Sequence, residues 1–340
     1  MKTNHFKLLL SIVVAVFIIG IGTVIGSSNI NLLDIISIIA YKLFNFPLQT
    51  GIENKDVSII WAIRLPRVLL AFLVGASLSV SGAVIQSLLK NPLASPYTLG
   101  VSSGASLGVG IYIILGISIP YIGGLSLPLI GFLSGVSTLF AVILFANKVD
   151  RGFSNHTMIL SGMVFSLFTS AMLTTLSALN SESVTQITMW QMGSFAMRGW
   201  SYVGLIIPFF IIGIFIILKY CREMDILSFG EDQAKSVGVE TKKVKTYLLI
   251  AVATLTGSAI ALSGTIGFID LISPHIVRKL VGSNHKWVIP MCIIFGGSFM
   301  VLMDLISRTI ISPSELPVGA ITALIGAPFF AYLYFSKKSG

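Results

Sequence analysis

The sequence predicts an all-α integral membrane protein of about ten transmembrane helices, and three observations carry that expectation. Only 10% of the 340 residues are charged and 55% are hydrophobic, whereas an ordinary soluble domain carries about 25% charged residues. Mean hydropathy is +0.94. Apolar runs of membrane-crossing length recur along the whole chain; ten helices of about 20 residues would use about 200 positions and leave no large soluble domain to place. Residues 1–340 therefore read as one transmembrane domain. The 32 glycines suit helices that approach closely in lipid, where burial of apolar surface between helices supplies little.

The first run, 8–26, follows Lys2 and Lys7 like the core of a signal peptide, but its 18 apolar residues exceed the usual length of about 7 to 15, which makes it a retained helix. A long segment, 27–61, precedes the second run at 62–85. Runs at 97–116, 125–147, 157–179, 201–219 and 246–263 follow, with short connections except for the stretch 219–245. The eighth, 266–281, is short and broken by Gly264, Gly267 and Pro274, as expected of a helix supported by protein rather than lipid. Runs at 288–306 and 315–335 complete the set. An even count puts both termini on one side, and sixteen of the 22 Lys and Arg fall there. The positive-inside rule makes that side the cytoplasm, so the net charge of +9 is a topology signal rather than a nucleic-acid footprint.

Cys221 and Cys292 are too few and too far apart for a disulfide framework and read as free thiols. His156, His275 and His285 lack metal-ligand spacing, and no metal or cofactor is expected. Gly230 to Ser236 imitates the tail of a P-loop but lacks the glycine before Lys235 and follows no strand, so the chain has no Walker motif. Gly100-Val-Ser-Ser-Gly104 fits the Gly-x-Ser-x-Gly pattern of hydrolases, yet it opens an apolar helix, where close helix packing is the simpler use.

In the long inner segment, Ser228 can cap a short helix, Glu231 and Asp232 favour its positive end, and Gly238 can stop it. Such an exposed, mixed-charge element suits either a docking surface for a soluble partner or a solvated connector. Asp270 and Asp304 are expensive inside a membrane. Asp304 has Arg308 four residues on as a partner. Asp270 has none in sequence, which leaves it between a polar contact in the bundle and a place on a substrate path. Arg64, Arg67 and Arg308 fall outside, against the charge bias, so something there should want positive charge: an anionic substrate, lipid headgroups, or a partner's carboxylates.

From Arg64-Leu-Pro-Arg67 onward, the chain resembles the FecCD-type permease subunits of binding-protein-dependent ABC importers for iron-siderophores, haem and vitamin B12. The resemblance runs through Val74 to Gln86, Asn91 to Ala105, Met189 to Ser194, Phe229 to Gly238, Gly264 to Arg278 and Glu315 to Pro328, in that order, and covers essentially the whole chain. It implies a type II importer permease fold of ten helices, paired with a second permease copy, identical or not, around a central path. Two cytoplasmic ATPases and an extracytoplasmic binding protein complete the assembly in the bacterial cytoplasmic membrane. By position, Arg64, Arg67 and Arg308 match the arginines that meet the binding protein's acidic lobes. Phe229, Gly230, Glu231, Ala234 and Gly238, within the loop 220–245, match the segment that docks in the ATPase. Ser154, Asn155, His156 and Thr157 match the cytoplasmic gate, and the fifth and tenth spans would line the path. Asp270 stands where the family commonly has a small residue.

The expected function is therefore ATP-driven import of an iron chelate, foremost an iron-siderophore, with no covalent chemistry in this chain. Haem or cobalamin import is the alternative within the family. A proton-coupled carrier using Asp270 and an intramembrane hydrolase using Ser102 are the alternatives outside it.

Overall fold

A computed structural model describes residues 2–26, 31–49, 51–117, 119, 123–150 and 154–335 of the chain. Arg151, Lys337 and Lys338, counted above among the inner charges, lie outside the described residues. In chain order the helices are α1 (Lys2–Val24), α2 (Leu32–Phe44), α3 (Asn54–Ser58), α4 (Leu65–Leu88), α5 (Val101–Ile114), α6 (Ser126–Val149), α7 (Asn155–Leu179) and α8 (Val184–Met192). They continue as α9 (Trp200–Lys219), α10 (Cys221–Phe229), α11 (Glu231–Ser236), α12 (Thr241–Ser263), α13 (Ile269–Val281), α14 (His285–Thr309) and α15 (Val318–Phe335). A π-helical turn, Ile59–Arg64, joins α3 to α4, and a short 3-10 turn, Pro96–Leu99, leads into α5.

Among the described residues, seven helical segments are long and apolar enough to cross a membrane: α1, the continuous stretch Asn54–Leu88, α6, α7, α9, α12 and α14. The other three expected spans are the shorter helices α5, α13 and α15, of 14, 13 and 18 residues. The segments read as loops hold helices that hydropathy alone does not reveal. Asn31 and Asp34 cap α2 reciprocally, and its Ile35 and Ile38 pack against Val57 and Ile60.

Two helices form the centre. In α4 and α12, 83% and 78% of the apolar window is buried, against 17% to 28% in α1, α6, α7 and α9. The outer helices keep large apolar side chains exposed, which only a surrounding lipid phase tolerates in such number. Along α4 pack α14, α12, α13 and α9. Close approach needs small residues: a Cβ on Gly82 of α4 would lie 1.9 Å from the backbone oxygen of Asp270 on α13. Gly104 has the same role between α5 and α6, since a Cβ there would sit 2.0 Å from Thr138 Oγ1. Gly100 ends the 3-10 turn with φ +85° and starts α5, so the Gly-x-Ser-x-Gly stretch is a helix entry and not a strand-to-helix elbow.

The short α13 is held by protein, as its broken sequence suggested. Ahead of it, residues 264–268 run irregularly, with Phe268 at φ +70°. Their backbone groups find partners nearby: Tyr97 Oη donates to the Ile266 carbonyl at 2.7 Å, Ser263 Oγ donates to the Gly264 carbonyl at 3.1 Å, and the Gly264 amide donates to the Ile260 carbonyl at 2.8 Å. Satisfying such groups internally is what permits non-helical backbone at membrane depth.

Candidate functional site

Three regions carry the chemistry. The first is the corner built by α10, α11 and the start of α7. Gly230, at φ +146°, breaks the helix between α10 and α11, and Gly238, at φ +87°, ends the hairpin. At its tip Phe229 is 79% exposed, and just past α11 Val237 is 67% exposed. Ala234 is fully buried against the bundle, so it supports the hairpin from below rather than facing a partner. Glu231 also turns inward. Its carboxylate accepts from the buried Lys245 Nζ of α12, and the same ammonium donates to Asn155 Oδ1 at 3.1 Å. Of the five residues assigned to coupling, Phe229 and Gly238 thus present themselves outward, while Glu231 and Ala234 act inside the chain.

Asn155 is the first residue of α7. Ser154 caps that helix, with its Oγ 3.0 Å from Thr157 Oγ1, and the Ser154 amide donates to Asp150 Oδ2 at 3.1 Å. His156 is exposed. The expected gate residues are therefore a capped helix end tied to the hairpin through one lysine.

A polar chain runs from the same hairpin into the bundle. Asp225 Oδ1 on α10 accepts from the His285 amide at 3.0 Å and meets His285 Nδ1 at 2.5 Å. His285 Nε2 meets Ser87 Oγ at 2.6 Å, Arg278 Nη1 donates to Gln86 Oε1 at 2.5 Å, and Gln86 Nε2 donates to the Asp270 carbonyl at 3.2 Å. Asp270 itself is 1% exposed, with Oδ2 accepting from Ser95 Oγ and Oδ1 lacking a hydrogen-bond partner among the described residues. It makes its contacts inside the bundle and is not among the residues lining the cleft described below.

The second region is the opposite end of α4. Arg67 donates to both oxygens of Asp304 at 2.9–3.1 Å and to both of Glu315 at 2.8 and 2.9 Å. Arg308 donates to the Gly22 carbonyl, with its Nε 3.7 Å from Asp304. Arg64 donates to the Val24 carbonyl at 2.7 Å. The side chains of Arg67 and Arg308 are 8% and 7% exposed. The expectation of three cations presented outward is corrected on this geometry, because they knot α1, α4, α14 and the 310–317 segment together. The predicted Asp304–Arg308 pair is secondary to the two-pronged Arg67–Asp304 pair. Glu315, outside the helices, is held below the usual carboxylate range chiefly by its hydrogen bonds from Arg67.

The third region is a cleft of about 600 Å³ between α5, α7 and α8, closed by Tyr97 and Thr265. Ser102 lies in its wall with no hydrogen bond to a histidine among the described residues, and no strand supports an elbow there, so the hydrolase geometry is missing.

Residues 12–336 match the model of the FecCD transport family. The chain belongs to that family. It is 34% identical over 325 residues, 96% of this chain and 93% of the relative, to the Fe(3+)-citrate import system permease protein YfmD of Bacillus subtilis. It is 44% identical over 283 residues, 83% of this chain and 80% of the relative, to the ABC transporter permease protein YvrB of the same organism. Among solved structures it resembles a metal-chelate type ABC transporter in an inward-facing conformation, at 30% identity and a TM-score of 0.83 over 97% of this chain and 99% of that one. This FecCD chain is thus a multi-pass membrane protein and an ABC importer permease, a transport subunit.

Sequence reasoning missed Lys245, Asp225, Gln86 and Arg278. Lys245 carried one usable signal: a lysine in the second turn of an apolar helix needs a carboxylate once that helix is buried. The others carried none, since each finds its partner on a different helix.

Proposed function

We propose that this FecCD permease imports an iron chelate of the siderophore class across the bacterial cytoplasmic membrane, with both termini cytoplasmic. It works with a second permease copy, two cytoplasmic ATPases and an extracytoplasmic binding protein. The observation that carries the reading is the α10–α11 hairpin: its inner face packs on the bundle through Met224, Leu227 and Ala234, while two large apolar side chains, Phe229 and Val237, remain exposed on this mixed-charge element. Exposed apolar residues on such an element mark a protein contact. The chain has no Walker motif of its own, so the nucleotide chemistry belongs to the partner docked there.

The hairpin reaches the gate through Lys245 and the bundle interior through Asp225 and His285. Movement of a docked ATPase would bias a two-state bundle through these contacts, and differential contacts in the two states are what drive such a switch. Arg64, Arg67 and Arg308 serve binding-protein docking by fixing the rim on which it lands. The similarity to a ferric citrate permease is in keeping with an iron chelate as the cargo.

Uptake of labelled chelates into proteoliposomes holding the full assembly tests the reading. We expect uptake to follow ATP, and Phe229→Asp to abolish ATPase pull-down while the permease remains folded. Uptake driven by a proton gradient without ATP would refute the importer reading, and undiminished pull-down would refute the docking role of the hairpin.

A further inference from the structure

We propose that the cleft between α5, α7 and α8 is lined to pass a chelate whose outer surface is uncharged and rich in amide and hydroxyl groups. This rests on the importer reading and narrows its substrate.

Ten of the residues lining the cleft carry a hydroxyl, Gln191 adds an amide, and none carries a charge. Ser102 and Ser106 come from α5, and Ser166, Ser170, Thr174 and Ser177 from successive turns of α7. Polar side chains are costly against lipid, so this concentration within apolar helices belongs to a wet surface. Ser166 Oγ lies behind the surface of this wall, without a hydrogen-bond partner among the described residues. Other hydroxyls are half used: Ser103 donates to the Gly100 carbonyl and Thr174 to the Ser170 carbonyl, so their oxygens still accept. The wall therefore offers donors and acceptors mixed, the match for amides and hydroxyls.

An anionic chelate would need fixed positive charge to replace its hydration on entering a low-dielectric space. None is available. Arg67 and Arg308 are buried and committed to Asp304, Glu315 and the Gly22 carbonyl, and neither lines the cleft. Hydroxyls also hold a ligand weakly through many interchangeable bonds, which suits a path that must release its cargo.

The test begins with uptake by the intact importer, in a strain lacking this chain and complemented with it. The probes are an uncharged ferric trihydroxamate, cobalamin, anionic ferric citrate, and haem with its propionates. An uncharged cargo is expected. A ferric citrate or haem cargo would overturn the inference and leave ATP-driven import standing, whereas no ATP-driven uptake of any probe would overturn the importer reading and this inference with it. The second arm ties charge to the cleft: Ser170→Asp and Ser170→Asn are nearly equal in shape and differ in charge. Ser170→Asp is expected to lose at least about tenfold more uptake than Ser170→Asn, because a carboxylate in an uncharged wall must be hydrated or neutralised. Equal uptake in the two variants would show that the charge of this wall does not matter and would overturn the inference.

Discussion

Replacing Arg67 with leucine is expected to destabilise the folded chain by about 3 to 5 kcal/mol, the usual cost of removing one partner from a buried ion pair. Its guanidinium satisfies four carboxylate oxygens at once, and Asp304 is 1% exposed, so the loss strands a charge that water cannot reach. Arg308 cannot compensate fully because it stands 3.7 Å from Asp304 and is already engaged with Gly22. The measurement is thermal unfolding in detergent or nanodiscs. The triple change Arg67→Leu, Asp304→Leu, Glu315→Gln should recover much of the loss, since it removes the stranded charges together with their partner. A single variant as stable as the parent would refute the role of this cluster. The pair also has a pH sign. Arg67 depresses the titration of Glu315, so its contribution is present above the ordinary glutamate range and is lost as pH falls through the lowered value. Stability of the parent should therefore drop in acid more steeply than that of Glu315→Gln. Any charge reversal at Arg67 meant to probe binding-protein docking must first be shown to leave the chain folded.

Lys245→Met is expected to uncouple ATP hydrolysis from transport. The ammonium joins Glu231 of the hairpin to Asn155 at the start of α7, two elements far apart in sequence, and methionine fills the same space without either bond. Coupling free energies between sites are typically about 1 to 3 kcal/mol, so chelate moved per ATP should fall by about 5- to 150-fold. ATPase pull-down should persist because Phe229 and Val237 remain in place. The exchange Lys245→Glu with Glu231→Lys should restore part of the coupling, an outcome that loss of packing alone would not produce. An unchanged ratio of transport to hydrolysis in Lys245→Met would refute the link.

Ten apolar segments were legible in the sequence because hydropathy is local: each residue adds its own transfer free energy wherever the helix later sits. The short, protein-supported α13 was legible for the same reason, since Gly264, Gly267 and Pro274 act on their own backbone. The inner hairpin was readable in part: Glu231 and Asp232 do open α11 and Gly238 does follow its end, but Ser228, expected as a cap, lies inside α10 and donates to the Asp225 carbonyl, while Gly230 precedes α11. α2 was not, because its stability comes from packing Ile35 and Ile38 on Val57 and Ile60, a contact made only after the chain has folded back.

Charge pairing went the other way. On the sequence Asp304 belonged to Arg308, four residues along one helix, and Arg67 was free. In the fold Arg67 takes Asp304 across 237 positions, because α4 and α14 pack side by side and only tertiary packing decides which of two arginines aims its fork at the carboxylate. The same is true of Lys245 with Glu231 and Asn155, and of the hydroxyls that α5, α7 and α8 bring to one cleft. The sequence by itself determined that this chain lies in a membrane, how many times its apolar segments recur and which element stands out from them, since those properties add along the chain. The tertiary structure alone decided which charges neutralise each other and which polar groups share a surface. Those depend on the faces of helices that meet at about 8 to 10 Å, and facing is not a property of any one segment.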